Sequence, residues 1–230
     1  MAKAPRPGHV KTRLQGVLRP EEAATLGTAF LRDTAENLHA AALLASIDPV
    51  VAYAPAGQER RFDGLLPPGT ALLLADGSGG QAEGVEGFGC VLLETMRGLF
   101  AQGYGAAVVL AADSPTLPTR VLAEAADGLL AGRSEAVLGA VEDGGYYLLG
   151  LRAPRPDAFA RVRWSTDFAA ADTRERLATA GLKCAELTPW FDVDDPAALS
   201  RLLTDQSGYA APHTHSALAA MRLHERLHAA

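Results

Sequence analysis

The chain has 230 residues, 48% of them hydrophobic and 21% charged, with a mean hydropathy near zero. These proportions exclude wholesale disorder, and no apolar run approaches the ~20 residues that cross a bilayer. The net charge of −6 argues against a nucleic-acid partner, which requires a basic face, but leaves room for a small anionic ligand held by a local group of cations.

Apolar runs alternate with helical patterns along the chain, the signature of an α/β domain. An α/β domain needs a strand leading into the loop Lys3–Arg13, and the sequence supplies only Met1–Lys3 for it. A longer chain carrying an apolar run upstream is expected to be more stable. A helix starts at Pro20, where proline suits the first helical position and Glu21 and Glu22 suit its positive end; Leu26, Phe30, Leu38 and Ala41 mark its apolar face. Pro49–Tyr53 and Leu72–Ala75 read as strands. Val85, Phe88, Leu92, Met96 and Leu99 keep helical spacing, weakened at the start by Gly87 and Gly89. Ala106–Ala112 reads as a buried parallel strand, and Leu122, Ala125 and Leu129 mark the next helix. Glu135–Val141 and Tyr146–Leu151 flank Asp143–Gly145 as an antiparallel hairpin. A helix near Phe168–Ala180, a strand near Lys183–Leu187 and a helix after Pro196 complete a domain over residues 1–204. Residues 205–230 read as a tail with one short helix carrying Leu223 and Leu227 on one side; that side packs either on its own domain or on a second subunit as a homodimer contact. Cys90 and Cys184 lie far apart and suggest no disulfide framework, so a reducing cytoplasm is the default.

Four segments carry candidate chemistry. In the loop Lys3–Arg13, Gly8 lets backbone approach an anion, and Lys11 and Arg13 supply charge and donors; the alternative is a rigid surface loop. Asp113 follows the most apolar strand, where open α/β sheets bind ligands. A carboxylate there holds Mg²⁺ or Mn²⁺ against a diphosphate, or simply caps a turn. In Glu142-Asp143-Gly144-Gly145-Tyr146, the glycines admit a ligand against bare backbone beside an acid that serves as base or ligand; the competing reading is a hairpin turn. Asp195 before Pro196 is explained by helix capping, which leaves Asp192 and Asp194, at i,i+2 on one side of an extended segment, to share a cation. Trp164-Ser165-Thr166 reads as an acceptor-site loop or as a buried tryptophan before a helix cap. His213, His215, His224 and His228 gather near the end of the chain, where a solvated face competes with a metal site.

These segments together resemble a bacterial family of small GT-A-like glycosyltransferases associated with radical-SAM/selenium-domain proteins or arsenosugar synthesis, formerly a domain of unknown function. The resemblance spans residues 1–204 and rests on Ala2-Lys-Ala-Pro-x-Pro-Gly-x-Val-Lys-Thr-Arg-Leu14, Asp113-Ser-Pro, Glu142-Asp-Gly-Gly-Tyr-Tyr147, Trp164-Ser-Thr and Asp192-Val-Asp194. The family is related to molybdenum-cofactor-type nucleotidyltransferases. The resemblance implies a Rossmann-like, mostly parallel sheet with helices on both faces and an antiparallel hairpin. It places Asp113 at the metal-site acid, Asp192 and Asp194 at a late acidic segment, and Lys3, Lys11 and Arg13 on a nucleotide loop. Two features depart from the family: the nearly absent first strand, and Gly87-Phe-Gly89 where Asp-Leu-Gly is usual.

The implied activity is Mg²⁺- or Mn²⁺-dependent transfer of a sugar from a nucleotide-diphospho-sugar to a small acceptor. Glu142 or Asp143 would be the base, and Gly144, Gly145, Tyr146, Trp164, Ser165 and Thr166 would stand on the acceptor side. Transfer of a nucleotidyl group from an NTP to a phosphorylated metabolite uses the same acids and cations, and a non-catalytic nucleotide-binding scaffold is a third reading.

Overall fold

A computed structural model describes residues 1–228. Strands β1 (Ala2–Lys3), β2 (Val50–Ala54) and β3 (Ala71–Leu74) form a parallel sheet in the order β1-β2-β3. Strands β4 (Ala107–Leu110), β5 (Ala136–Ala140), β6 (Tyr146–Leu151) and β7 (Cys184–Glu186) form a second, mixed sheet in the order β4-β6-β5-β7. The hairpin pairs β5 with β6 antiparallel, as the turn at Asp143–Gly145 predicts, and β7 joins β5 in parallel. The strand at residues 106–112 differs from expectation: β4 pairs antiparallel with β6. Its continuous apolar character reflects burial on both faces rather than parallel pairing.

Side-chain alternation explains that burial. Val109, Leu138 and Leu149 point to one face, where they pack with Leu92, Met96 and Leu99 of α2 (Phe88–Ala101) and Leu177 of α4 (Ala169–Thr179). Their neighbours Leu110, Val137 and Leu148 point to the other face. There they meet Ala41 of α1 (Pro20–Ala42) and Val121, Leu122 and Leu129 of α3 (Thr119–Leu130).

Helix α1 begins as read, with Pro20 at its first position, and the Glu22 carboxylate accepts the Arg19 backbone N–H at 2.9 Å. That bond and the Arg19 and Arg226 guanidiniums hold Glu22 down at about 2. Helix α5 (Pro196–Thr204) is capped by Asp195, which accepts the Ala198 N–H at 2.8 Å.

The tail forms two helices, α6 (Pro212–Ala220) and α7 (Leu223–His228). Leu218 and Leu223 are buried with Leu14, Leu18, Leu26 and Phe30, and Leu227 packs against the same cluster. The apolar side that offered a homodimer contact is therefore used within the chain. Asp33, fully buried on α1, receives the backbone N–H groups of His213 and Thr214 at 3.0 and 2.7 Å and so caps α6. His213 pairs with Glu36 at 2.7 Å, and the side chain of His228 lies outside the described residues. Cys90 and Cys184 are free thiols. No helix among the described residues is long and apolar enough to cross a membrane.

Candidate functional site

A cleft of about 460 Å³ opens beyond the C-terminal ends of β1, β2 and β4, within the range that accommodates a cofactor- or nucleotide-sized ligand. Lys3, His9, Lys11 and Arg13 line it from the N-terminal loop, with Asp113 and Asp194 beside them, and Phe88, Tyr146 and Tyr147 line it as well. The Tyr147 hydroxyl donates to the Thr188 carbonyl at 2.7 Å, which fixes its ring.

Three segments distant in sequence are tied together at Val193. Its N–H donates to the Asp113 carbonyl at 2.8 Å, and its own carbonyl accepts from Lys11 Nζ at 2.9 Å. The Lys11 ammonium also lies 2.6 Å from Asp113 Oδ1, 3.1 Å from Asp194 Oδ1 and 4.9 Å from the centroid of the Phe30 ring. Its side chain is only 6% exposed. Lys11 reaches this position from left-handed backbone, φ 49° and ψ 41°, which costs a non-glycine residue ~1–2 kcal/mol. Several charge-assisted bonds offset that cost. Arg13 is 65% exposed and lies 3.6 Å from Asp194 Oδ2, so its donors face solvent in the cleft. Gly8 holds φ +78° with no atom within 4 Å of the position a Cβ would take; its glycine serves the loop's conformation.

The acids outnumber the cation they share. Burial, then the charges of Asp194, Asp143 and Asp113, push the Asp192 carboxyl up to about 7, with Lys11 opposing them. Excess negative charge in a half-buried site invites a cation. The carboxylate oxygens of Asp113, Asp192 and Asp194 do not all fall within 4.8 Å of one another; among the described residues only Asp33, Glu36 and His213 do so, and Asp33 is occupied as a helix cap. Of the three sequence-predicted acids, Asp113 and Asp194 line the cleft and are joined by Lys11, while Asp192 feels their charge but does not line it.

The hairpin turn divides its residues. Glu142 pairs with Arg201 at 2.7 Å on the exposed surface. Asp143 Oδ1 accepts the Gly145 N–H at 3.0 Å, and its charge reaches Asp192. Gly144 does not offer bare backbone to a ligand. A Cβ there would stand 2.0 Å from the Asp167 carbonyl oxygen, so the glycine admits a neighbouring loop. Gly145 would meet Val141 at 3.1 Å.

Trp164 packs edge-on against Phe88 and Tyr146, with ring centroids 5.8 and 6.3 Å away, and its indole N–H is buried without a partner. Burial also raises the Tyr146 hydroxyl far above its ordinary value. Ser165 adopts positive φ (61°), and Thr166 donates to the Arg163 carbonyl at 2.7 Å and accepts the Phe168 N–H at 3.3 Å, a turn leading into α4. Arg163 is clamped by Asp172, whose carboxylate takes its N–H and both ends of its guanidinium at 2.7–2.9 Å. Phe88 and His9 were not singled out from sequence as site residues. The available signal was Gly87-Phe-Gly89: a Cβ at Gly89 would fall 2.9 Å from the Trp164 indole nitrogen, so the glycine lets tryptophan and Phe88 meet.

The family model described as "Uncharacterized protein conserved in bacteria (DUF2064)" matches residues 33–166. That span begins within α1 and carries Asp113, the hairpin turn and Trp164. It stops short of the Lys3–Arg13 loop and of Asp192–Asp194. Among solved structures, a protein from Desulfovibrio desulfuricans G20, provisionally assigned as a nucleotide-diphospho-sugar transferase, is 28% identical with a TM-score of 0.79. The match covers 98% of this chain and 93% of that one, so both share the whole α/β fold, including the segments outside the family match. No curated protein matches the chain significantly.

Proposed function

We propose, from the premise that the chain belongs to the bacterial family DUF2064, that it transfers a sugar from a nucleotide-diphospho-sugar to a small acceptor. The observation that carries this reading is the cleft itself: a space of about 460 Å³ lined by the cations Lys3, Lys11 and Arg13 of the N-terminal loop and by Asp113 at the end of β4. The provisional assignment of the similar D. desulfuricans protein supports it.

In this reading the diphosphate lies against the N-terminal loop. Arg13 and Lys3 contact phosphate oxygens directly, because their donors are free to turn into the cleft, and guanidinium suits bidentate capture. Lys11 acts one step further in. It holds Asp113 and Asp194 together and places a fixed positive charge beneath the leaving group, where preorganised charge is most effective. Asp113, with Asp192 or Asp194, would hold Mg²⁺ or Mn²⁺. The all-carboxylate donor set suits a hard cation, and burial, followed by the charges of the neighbouring acids, raises the Asp192 carboxyl. Such a cation would supply neutralisation of the departing diphosphate. Asp143 is the better-placed base for the acceptor hydroxyl, since its charge is felt at the acid cluster while Glu142 is engaged by Arg201. Tyr146, Trp164 and Phe88 form the apolar wall against which the acceptor side is built.

The test is the leaving group. A panel of nucleotide sugars incubated with the protein, Mn²⁺ and small hydroxylated acceptors is expected to release free nucleoside diphosphate. Pyrophosphate from an NTP would replace this reading with nucleotidyl transfer. Binding without either product would leave a nucleotide-binding scaffold.

A further inference from the structure

The contact between α1 and α6 gathers ligand-type side chains that the nucleotide cleft does not use. Asp33 and Glu36 are spaced i,i+3 on α1, so both stand on one face of the helix. Helix α6 starts over that face because the Asp33 carboxylate accepts the His213 and Thr214 N–H groups. With the helix start fixed there, the His213 side chain reaches Glu36, and its Nε2 lies 2.7 Å from Glu36 Oε1. A ring nitrogen of His213 and one carboxylate oxygen each of Asp33 and Glu36 all fall within 4.8 Å of one another.

We propose that Asp33, Glu36 and His213 bind a divalent transition-metal ion of the zinc class, which staples α6 to α1. The donor set carries the choice of ion. Zinc takes imidazole together with carboxylates, whereas Mg²⁺ and Ca²⁺ prefer oxygen ligands alone. Two carboxylates and a neutral imidazole also balance the charge of a divalent ion. Zinc bonds of ~2.0–2.1 Å at tetrahedral angles set ligand atoms about 3.3 Å apart. The His213–Glu36 pair is hydrogen-bonded and closer than that, so the ion takes the place of the proton the two share. These two side chains are 26% and 37% exposed; they can open by that small amount and give the ion a path from solvent.

The capping role of Asp33 is compatible with ligation. An ionised carboxylate offers about four lone-pair sites, and the two N–H groups take one on each oxygen. Hydrogen bonds of this kind orient a ligating carboxylate. Thr214 supplies an independent sign of a ligand. It is fully buried, its N–H lies 2.7 Å from Asp33 Oδ2, and its hydroxyl has no partner. A buried hydroxyl left unpaired beside a carboxylate is rare, and a polar ligand bound next to Asp33 would supply its partner. The Tyr209 hydroxyl, held nearby by the Tyr209 N–H bond to the Thr116 carbonyl at 2.8 Å, faces Glu36 and Asp33 as a further oxygen donor. The staple has a structural consequence. The tail packs Leu218 and Leu223 against Leu14 and Leu18, directly after the Lys3–Arg13 loop, so an ion here stiffens the support of that loop.

The test is titration of Zn²⁺ into the EDTA-treated full chain, followed by calorimetry and by thermal melts. One equivalent is expected to bind saturably, and a large excess of Mg²⁺ is expected not to displace it. His213→Gln and Glu36→Gln, both at partly exposed positions, should retain cooperative unfolding while weakening zinc by ~10–100-fold or more. At about 100 times its dissociation constant, zinc should raise Tm by roughly 5–10 °C in the wild type and not in these variants. Asp113→Asn and His215→Gln are the controls and should bind zinc like the wild type. Absence of saturable binding would overturn the proposal. So would binding that survives in His213→Gln and Glu36→Gln, or that disappears in either control, since the ion would then belong to the cleft acids or to another tail histidine. The site shares no residue with the cleft, so this outcome and that of the proposed transfer are independent.

Discussion

Replacing Gly144 with alanine separates two accounts of the hairpin turn. If the glycine bares backbone for a ligand, the methyl group costs binding and leaves stability alone. The structure gives the other answer. Gly144 holds φ +92°, and a Cβ would stand 2.0 Å from the Asp167 carbonyl oxygen and 2.6 Å from its carbon. The Gly144 carbonyl in turn accepts the Ala170 N–H at 3.0 Å, so the two backbones are joined and neither yields freely. Left-handed backbone costs alanine ~1–2 kcal/mol, and overpacking costs ~1–3 kcal/mol. The sum, about 2–5 kcal/mol, corresponds to a Tm lower by roughly 5–15 °C in a domain of this size. Gly8→Ala is the control: its φ is +78° but no atom lies within 4 Å, so it carries the backbone cost alone. Thermal and urea melts of both variants provide the measurement. A Gly144→Ala protein melting no lower than Gly8→Ala would refute the close-approach argument and return the turn to a ligand-facing role.

Asp113→Asn keeps the shape of the side chain that meets Lys11 and is exposed enough to leave the fold intact; turnover of a nucleotide sugar is expected to fall by ~10²-fold or more with cooperative unfolding retained, and wild-type turnover would remove Asp113 from the mechanism. Lys11→Met leaves Asp113 without its ion-pair partner and Asp194 with Arg13 alone, at 3.6 Å. Because those acids are 42% and 35% exposed, water screens part of the loss, and about 1–3 kcal/mol of stability should disappear in a urea melt together with nucleotide binding. A variant of undiminished stability would contradict the central place given to the ammonium. Asp172 is held down at about 2, first by the Arg163 guanidinium and then by the Arg163 N–H. A carboxyl lowered on folding contributes stability above its unfolded value near 4, and that contribution is lost as pH falls toward 2. The stability difference between wild type and Asp172→Asn should therefore shrink by about 1–2 kcal/mol, after solvent screening, between pH 4 and 2; a difference constant over that range would rule out the linkage.

Much of the architecture was legible because local and tertiary signals agree. Pro20 with Glu22, Asp195 with Pro196, and the alternating hairpin around Asp143–Gly145 each name their element from a few residues. The pairing of β4 was not legible. A strand buried on both faces reads as the same apolar run whether its neighbour is parallel or antiparallel. Helix α6 escaped because its start depends on Asp33, a carboxylate 180 positions away. Within the site, the residue types were readable and their wiring was not. Spacing shows that Asp192 and Asp194 share a side, but only the fold reveals that Val193 ties them to Asp113 and that Lys11 lies between the acids. Gly144 illustrates the same limit: a glycine's freedom is visible in sequence, whereas what approaches it is decided by a loop more than twenty residues later.

Binding of a nucleotide-diphospho-sugar in the cleft through the Lys3–Arg13 loop is the step on which the proposed transfer depends. The most direct measurement is the melting temperature of the full chain with each of a set of nucleotide sugars, nucleoside diphosphates and NTPs, with and without Mn²⁺, in the wild type and in Arg13→Ala. At about 100 times its dissociation constant, a ligand specific for the native state adds ~2.7 kcal/mol, or roughly 5–10 °C here. Such a shift is expected with one nucleoside diphosphate and its sugar conjugate, strengthened by Mn²⁺ and weakened in Arg13→Ala. A shift confined to an NTP, or one that Arg13→Ala leaves intact, would contradict it.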